Sequence, residues 1–239
     1  MKSILINWLL VLFVSFSWGA SFMFTRFVVE EISPFHLVLI RLFLASLLLG
    51  PLFIRKSDLL KMTKVIPSLF LLGIINAALP FFLYAWSAQE LTAGTLSILN
   101  GTSPLFALII AILLFRQNTT LLQIAGLLTG FVGLVIFIGI EEIGLVIFPV
   151  ILCLAGAFCY AYSNNILFKL NHIKSALASA TMISGFVFSI PLFFFEPKAF
   201  SFDFDIEIYL AILFLGFVST GISFICLLYT SDAADDLVC

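Results

Sequence analysis

Apolar runs about long enough to cross a bilayer recur along this chain between short polar breaks, and that recurrence leaves few folds open. Eight are found, at Ile4–Val29, Pro34–Ile54, Val65–Ala88, Thr92–Phe115, Leu121–Ile140, Ile143–Phe168, Ala176–Phe195 and Ile206–Tyr229. Barrel strands alternate apolar and polar residues, whereas Phe106 to Phe115 is apolar on every side. The predicted fold is an all-α, polytopic membrane helix bundle. Composition demands the same solvent: 63% of residues are apolar and 10% charged, against about 45–50% and about 25% in a soluble domain. A globule of this size would coat its own surface with the excess, so lipid is the predicted partner. The run that starts at Ile4 is too long for a signal-peptide core and reads as the first helix.

Charge sorting sets the orientation, because Lys and Arg gather in cytoplasmic loops. With the N-terminus inside, Lys2, Arg55, Lys56, Lys61, Lys64, Arg116, Lys169 and Lys174 are cytoplasmic, and Lys198 alone is external. Glu30, Glu31, Glu90, Glu141, Glu142, Glu196, Asp203, Asp205 and Glu207 all fall on the outer side. A multi-pass protein of a bacterial inner membrane, N-terminus cytoplasmic, is expected.

Five helices precede the Glu141-Glu142 break, and an odd number makes the next group start from the opposite side. Sliding the second group over the first aligns Leu72-Gly73 with Leu215-Gly216 and Phe81 with Phe224, at one offset of 143. Inverted repeats of this kind are typical of secondary transporters, with substrate bound where the repeats meet. The expected domains are a first repeat over 1–142, a partial second repeat over 143–229 and a non-native tail over 230–239. Eight helices are present of an expected ten.

Polar residues at helical spacing on otherwise apolar cylinders are predicted to turn inward. Helix 1 presents Ser15, Trp18, Phe22 and Thr25, and helix 3 carries Asn76 and Tyr84. Helix 4 presents Ser97, Asn100 and Pro104, helix 6 Tyr160 and Asn164, and helix 8 Ser219 and Ser223. The candidate substrate-binding set is Trp18, Asn76, Tyr84, Ser97, Asn100, Tyr160, Asn164 and Ser219; the bland reading of the same residues is interhelical hydrogen bonding. Arg41 lies seven residues into helix 2, roughly 10 Å from its outer end. It is expected to pair with Glu90 or a substrate carboxylate, or else to snorkel to headgroups. Pro80 and Pro104 are expected to bend their helices. Gly126 and Gly130 form a GxxxG, read first as close packing within the bundle and second as a homodimer seam.

The motifs WGASF (Trp18 to Phe22), PFHLVLIR (Pro34 to Arg41), LTAGTLSILNGTSPLFAL (Leu91 to Leu108) and QIAGLLTGFVG (Gln123 to Gly133) resemble the EamA type of the drug/metabolite transporter superfamily. The resemblance covers helices 1 to 8 and is stronger in the first five. It implies ten helices in two inverted five-helix repeats, and export of amino acids or related metabolites. Phe115-Arg116 stands where many members carry a Gly-Glu pair, so no role of that glutamate is carried over.

The predicted function is secondary transport of small metabolites by alternating access, with export as the direction. The alternative is a membrane structural or assembly partner without transport activity. No catalytic constellation, metal-ligand cluster or cofactor motif is found: His36 and His172 sit near opposite faces, no carboxylate lies deep in a helix, and Cys153, Cys159, Cys226 and Cys239 form no CxxC. An enzyme is therefore not expected. No basic patch suits nucleic acid.

Overall fold

Hydrocarbon offers no water to a backbone, so every N–H and C=O must find its partner within the chain, and helices do this locally. The computed structural model describes residues 2–53, 66–114, 116, 119–138, 147–169, 174–194 and 203–227, and among these all regular structure is helical. Helix α1 is Lys2–Val28 and α2 is Pro34–Phe53. Helix α3 consists of Ile66–Gly73, a π-helical stretch Ile74–Ala78, and Leu79–Ser87. Helix α4 consists of Ala93–Asn100 and Ser103–Leu113, and α5 is Leu121–Ile138. Then come α6 at Ile147–Lys169, α7 at Lys174–Phe193 and α8, which runs through Ile206–Leu213 into a π-helical stretch Phe214–Ile222.

Six of these rods are long and apolar enough to cross a bilayer: Leu5–Val28, Pro34–Pro51, Pro67–Ser87, Ala93–Leu113, Ile147–Asn164 and Ile206–Leu227. Within α5 and α7 the apolar helices are shorter, Leu121–Gly133 and Ser179–Leu192. The protein is thus an all-α polytopic membrane bundle, as its apolar runs predict. The break at Glu141 and Glu142, most loop lysines and arginines, and residues 230–239 lie outside the described residues.

Local chemistry fixes where helices start and break. Ser33 precedes Pro34, whose missing N–H costs nothing in a first turn, and the His36 amide donates to Ser33 Oγ at 3.4 Å. Thr120 and Gln123 form a reciprocal cap on α5: the Gln123 amide donates to Thr120 Oγ1 at 3.3 Å and the Thr120 amide to Gln123 Oε1 at 2.8 Å. Pro104 does more than bend α4. The helix ends at Asn100 and restarts at Ser103, and the Thr102 and Ser103 hydroxyls donate to the Leu99 and Asn100 carbonyls at 2.6 and 2.7 Å. Pro80 stands two residues past the end of the π stretch of α3. Having no N–H, it cannot return a bond to the Asn76 carbonyl, and the Leu79 amide reaches back five residues to Ile74.

The centre of the bundle is two crossings around the packed pair α2 and α7. Helix α3 crosses α7, and α8 crosses α2, while α6 lies along α3 and α4 and α1 lies along α4 and α8. Glycine permits the first crossing, because a Cβ on Gly73 would stand 2.7 Å from both the Gly185 nitrogen and the Thr181 carbonyl. At the second, a Cβ on Gly216 would stand 2.5 Å from Leu44 Cβ. The two glycines are the pair aligned by the 143-residue offset, and the same offset carries Ile74–Ala78 onto 217–221, inside the π stretch of α8. Outward faces are apolar: Phe16, Leu121 and Ile136 are 75%, 86% and 75% exposed, to lipid in a bilayer. Gly130 of the GxxxG approaches Leu105 of α4, whereas Gly126 has open space around it.

Candidate functional site

A π stretch widens a helix and leaves carbonyls without their usual partners, so it draws side chains in. In α8 the Thr220 hydroxyl donates to the Leu215 carbonyl at 2.8 Å. With its proton spent there, its lone pairs face α2 and accept from Arg41 Nε at 2.9 Å. Arg41 Nη2 donates to Ser219 Oγ at 3.3 Å, and the guanidinium carbon sits 4.0 Å from the centroid of the Phe81 ring. Arg41 is only 9% exposed. Its side chain is therefore turned inward and does not snorkel. Nor does it pair with Glu90, which is exposed; the ion pair among the described residues is Arg26 with Glu30, at 2.7 Å. Two of the five guanidinium N–H groups are used in this way, and no carboxylate among the described residues balances the charge.

Tyr84 of α3 and Tyr160 of α6 stack with ring centroids 6.2 Å apart, and Phe22 of α1 meets the Tyr84 edge at 5.6 Å. Gly156 makes room for this, since a Cβ there would come within 2.8 Å of Tyr84 Cε2. The Tyr84 hydroxyl is buried without a hydrogen-bond partner among the described residues, and so is Asn100 Oδ1. Tyr160 lies within electrostatic range of Arg41. Helices α2, α3, α6 and α8 thus converge on one guanidinium, stacked aromatic rings and an unsatisfied phenol.

The remaining predicted residues scatter. Asn76, in the π stretch of α3, is buried and accepts from Ser163 Oγ of α6 at 2.7 Å, while Ser219 carries its hydroxyl to Arg41 and its carbonyl to Trp18 Nε1 at 3.1 Å. Trp18 itself is 38% exposed. Ser97 is half-buried on α4, and Asn164 is exposed. The inward face of α1 is rotated from the predicted one: Ser17, Ser21 and Thr25 are buried and Ser15 is exposed. On an almost uniformly apolar helix a hydroxyl satisfies itself locally, as Ser21 does on the Trp18 carbonyl at 2.7 Å, so serine spacing alone does not mark a face. Sequence reasoning missed Thr220, Phe81 and Ser163. Thr220 follows Ser219 directly and would have been found by asking which hydroxyls a buried arginine needs.

At one end of the bundle Glu30, Glu31, Asp203, Asp205 and Glu207 gather around a pocket of about 590 Å³, with Phe27, Phe204 and Ile208 in its wall. Charge sorting assigns all five acids to one side of the membrane, and the fold brings them to one mouth.

The chain matches the model of the EamA-like transporter family over residues 5–139, more than half of its length. It belongs to that family. An uncharacterized transporter of Archaeoglobus fulgidus is 26% identical over 220 residues, spanning 90% of this chain and 76% of that protein. The uncharacterized transporter YdfC of Bacillus subtilis is 26% identical over 222 residues, 90% of this chain and 71% of its own. Protein PagO of Salmonella typhimurium is 29% identical over 120 residues, half of this chain and 40% of its own. No solved structure matches the chain significantly. As an EamA-like protein it is a multi-pass membrane transporter, and its relatives point away from an enzyme.

Proposed function

We propose that this EamA-like transporter moves small metabolites, of the class of amino acids and related compounds, outward across a bacterial inner membrane by alternating access. Residues 1–142 and 143–229 are read as repeats of opposite orientation, with the N-terminus in the cytoplasm. The observation that carries the reading is the convergence of Arg41, Tyr84, Tyr160 and Ser219 between helices of both halves, beside helical discontinuities in α3 and α8. π-helical stretches inside α-helices are frequent at functional sites, and transporters built of repeats bind their cargo between them. Polar atoms without protein partners, here the Tyr84 hydroxyl and Asn100 Oδ1, are the groups a cargo satisfies. The shared acidic mouth supports the topology, and the family resemblance supports export.

Reconstitution into liposomes, with counterflow of labelled amino acids and organic acids, tests the reading. Tyr84→Phe and Asn100→Leu are expected to lower flux while leaving membrane abundance near normal. Equal loss of flux and abundance would favour the alternative, a structural membrane partner. Reporter fusions after Lys61 and Arg116 are expected on the cytoplasmic side, and those after Glu142 and Asp205 outside; two reversed sites overturn the orientation.

A further inference from the structure

Resting on that transport reading, and narrowing its cargo from amino acids to related acids that lack the ammonium group, we infer that Arg41 is an anion-binding residue and that the cargo is an organic carboxylate carrying net negative charge. The first support is the unbalanced charge. A buried charge is normally paired with its opposite, yet Arg41 is 9% exposed and, among the described residues, bonded only to the neutral hydroxyls of Thr220 and Ser219. Those bonds use Nε and one position on Nη2, leaving Nη1 and the rest of Nη2 without a protein acceptor among the described residues. The two terminal nitrogens of a guanidinium form the fork that takes a carboxylate through both oxygens.

The second support comes from the residue 143 positions away. Ser184 of α7 occupies the place in the second half that Arg41 holds in the first, and its hydroxyl reaches the Leu69 carbonyl of α3 at 3.1 Å. A serine thus serves one crossing, so the crossing itself does not require a cation. The third is the company Arg41 keeps. Phe81 lies under the guanidinium, Tyr160 is in electrostatic range, and the stacked Tyr84 holds a buried hydroxyl with a free proton to donate. These rings suit an apolar or aromatic body behind the carboxylate.

What is missing selects between an acid and an amino acid. An α-ammonium group would need an acidic partner near the guanidinium, and every acidic residue among the described ones lies at a helix end or in a connection. The site offers donors and aromatic faces.

The test compares three solutes of one shape on the purified chain: 3-phenylpropanoate, its uncharged amide and zwitterionic phenylalanine. Titration calorimetry is expected to give the anion at least about tenfold tighter binding than either analogue, the discrimination typical of a charge-assisted bidentate contact. Arg41→Met is expected to abolish that gap by weakening the anion far more than the amide, and Arg41→Lys to keep part of it, since the charge stays and the fork is lost. Binding of phenylalanine or the amide as tight as the anion, no measurable binding of the anion, or a gap that survives Arg41→Met would each overturn the assignment. Vesicle flux separates this from the transport reading. If the protein moves phenylalanine with no preference for the anion, the anion site falls and transport stands. If the anion binds through Arg41 but no solute crosses, transport falls and the site stands.

Discussion

The crossing of α3 over α7 and that of α8 over α2 use the same backbone device and differ in what they carry. Each presents a Leu-Gly pair at a π stretch, Leu72-Gly73 just before Ile74–Ala78 and Leu215-Gly216 within Phe214–Ile222, and each buries its leucine fully or nearly so. At the first, Gly73 faces backbone atoms of α7, and Asn76 is satisfied by Ser163. At the second, Gly216 faces the Leu44 side chain, and Ser219 and Thr220 hold a guanidinium. One crossing meets backbone and is neutral; the other meets a side chain and is charged. The difference teaches that the frame is a shared solution to packing, while the chemistry is concentrated on one side of it.

The largest expected effect tests the packing half of this comparison. Gly73→Leu must displace the Ser184 hydroxyl and push apart two backbones, because the other atoms met are the Gly185 nitrogen and the Thr181 carbonyl. Gly216→Leu meets Leu44, whose outer carbons can turn away but whose Cβ, at 2.5 Å, is held by the α2 backbone. Overpacking of a core costs about 1–3 kcal/mol, and Gly73→Leu is expected at the top of that range with Gly216→Leu below it, because part of the Leu44 side chain can yield. Thermal unfolding in detergent, read alongside the monodisperse fraction by size exclusion, checks the order. Equal losses would mean that both crossings are equally tight.

Next in size is the polar half. A double-mutant cycle of Asn76→Leu and Ser163→Ala is expected to return a coupling of about 1 kcal/mol, within the range for hydrogen bonds between membrane helices. Arg41→Met is expected to leave stability unchanged or to raise it by up to about 1 kcal/mol, since an unbalanced buried charge costs more than its bonds to two hydroxyls return. A clear loss of stability on Arg41→Met would assign Arg41 to the frame instead.

The bundle was legible from its sequence because lipid imposes one simple demand, and the eight apolar runs coincide with α1 to α8. Gly73 and Gly216 were visible as an aligned pair, and each stands at a helix crossing. What stayed hidden was rotation about each axis. Helix α6 shows why: apolar around its whole circumference, it gave no moment to separate Tyr160, stacked on Tyr84, from Asn164, which is exposed. Arg41 was visible as a costly residue, but three outcomes were open until Thr220 and Ser219 were found opposite it. The π stretches could not be read at all, because Pro80 flags only the first and the stretch in α8 contains no proline.

A smaller effect, of opposite sign to most substitutions, is expected at Tyr84. Its hydroxyl is buried without a partner among the described residues, so Tyr84→Phe removes a polar atom that the empty protein does not use. Stability in detergent is expected to rise by up to about 1 kcal/mol, the order of the desolvation cost of an unmade hydrogen bond, while flux falls. A loss of stability would reveal a partner that the resting bundle supplies.

The smallest effect sharpens the comparison by moving it from helices to arginines. Arg26 and Arg41 stand on adjacent helices, but Arg26 Nη1 donates to Glu30 Oε1 at 2.7 Å with side chains 33% and 57% exposed. Solvent and salt screen such a pair, and spacing of four residues on a helix is worth about 0.3–0.5 kcal/mol. Glu30 also lies just past the C-terminal end of α1, where the helix dipole disfavours an anion and favours the arginine. Arg26→Gln therefore loses one weak bond and leaves Glu30 free in water. The expected cost is under about 0.5 kcal/mol and disappears at high salt, with no change in the preference of the site for an anion over its amide. If Arg26→Gln weakened that preference as strongly as Arg41→Met, the selectivity would come from long-range attraction to both arginines and not from one buried fork.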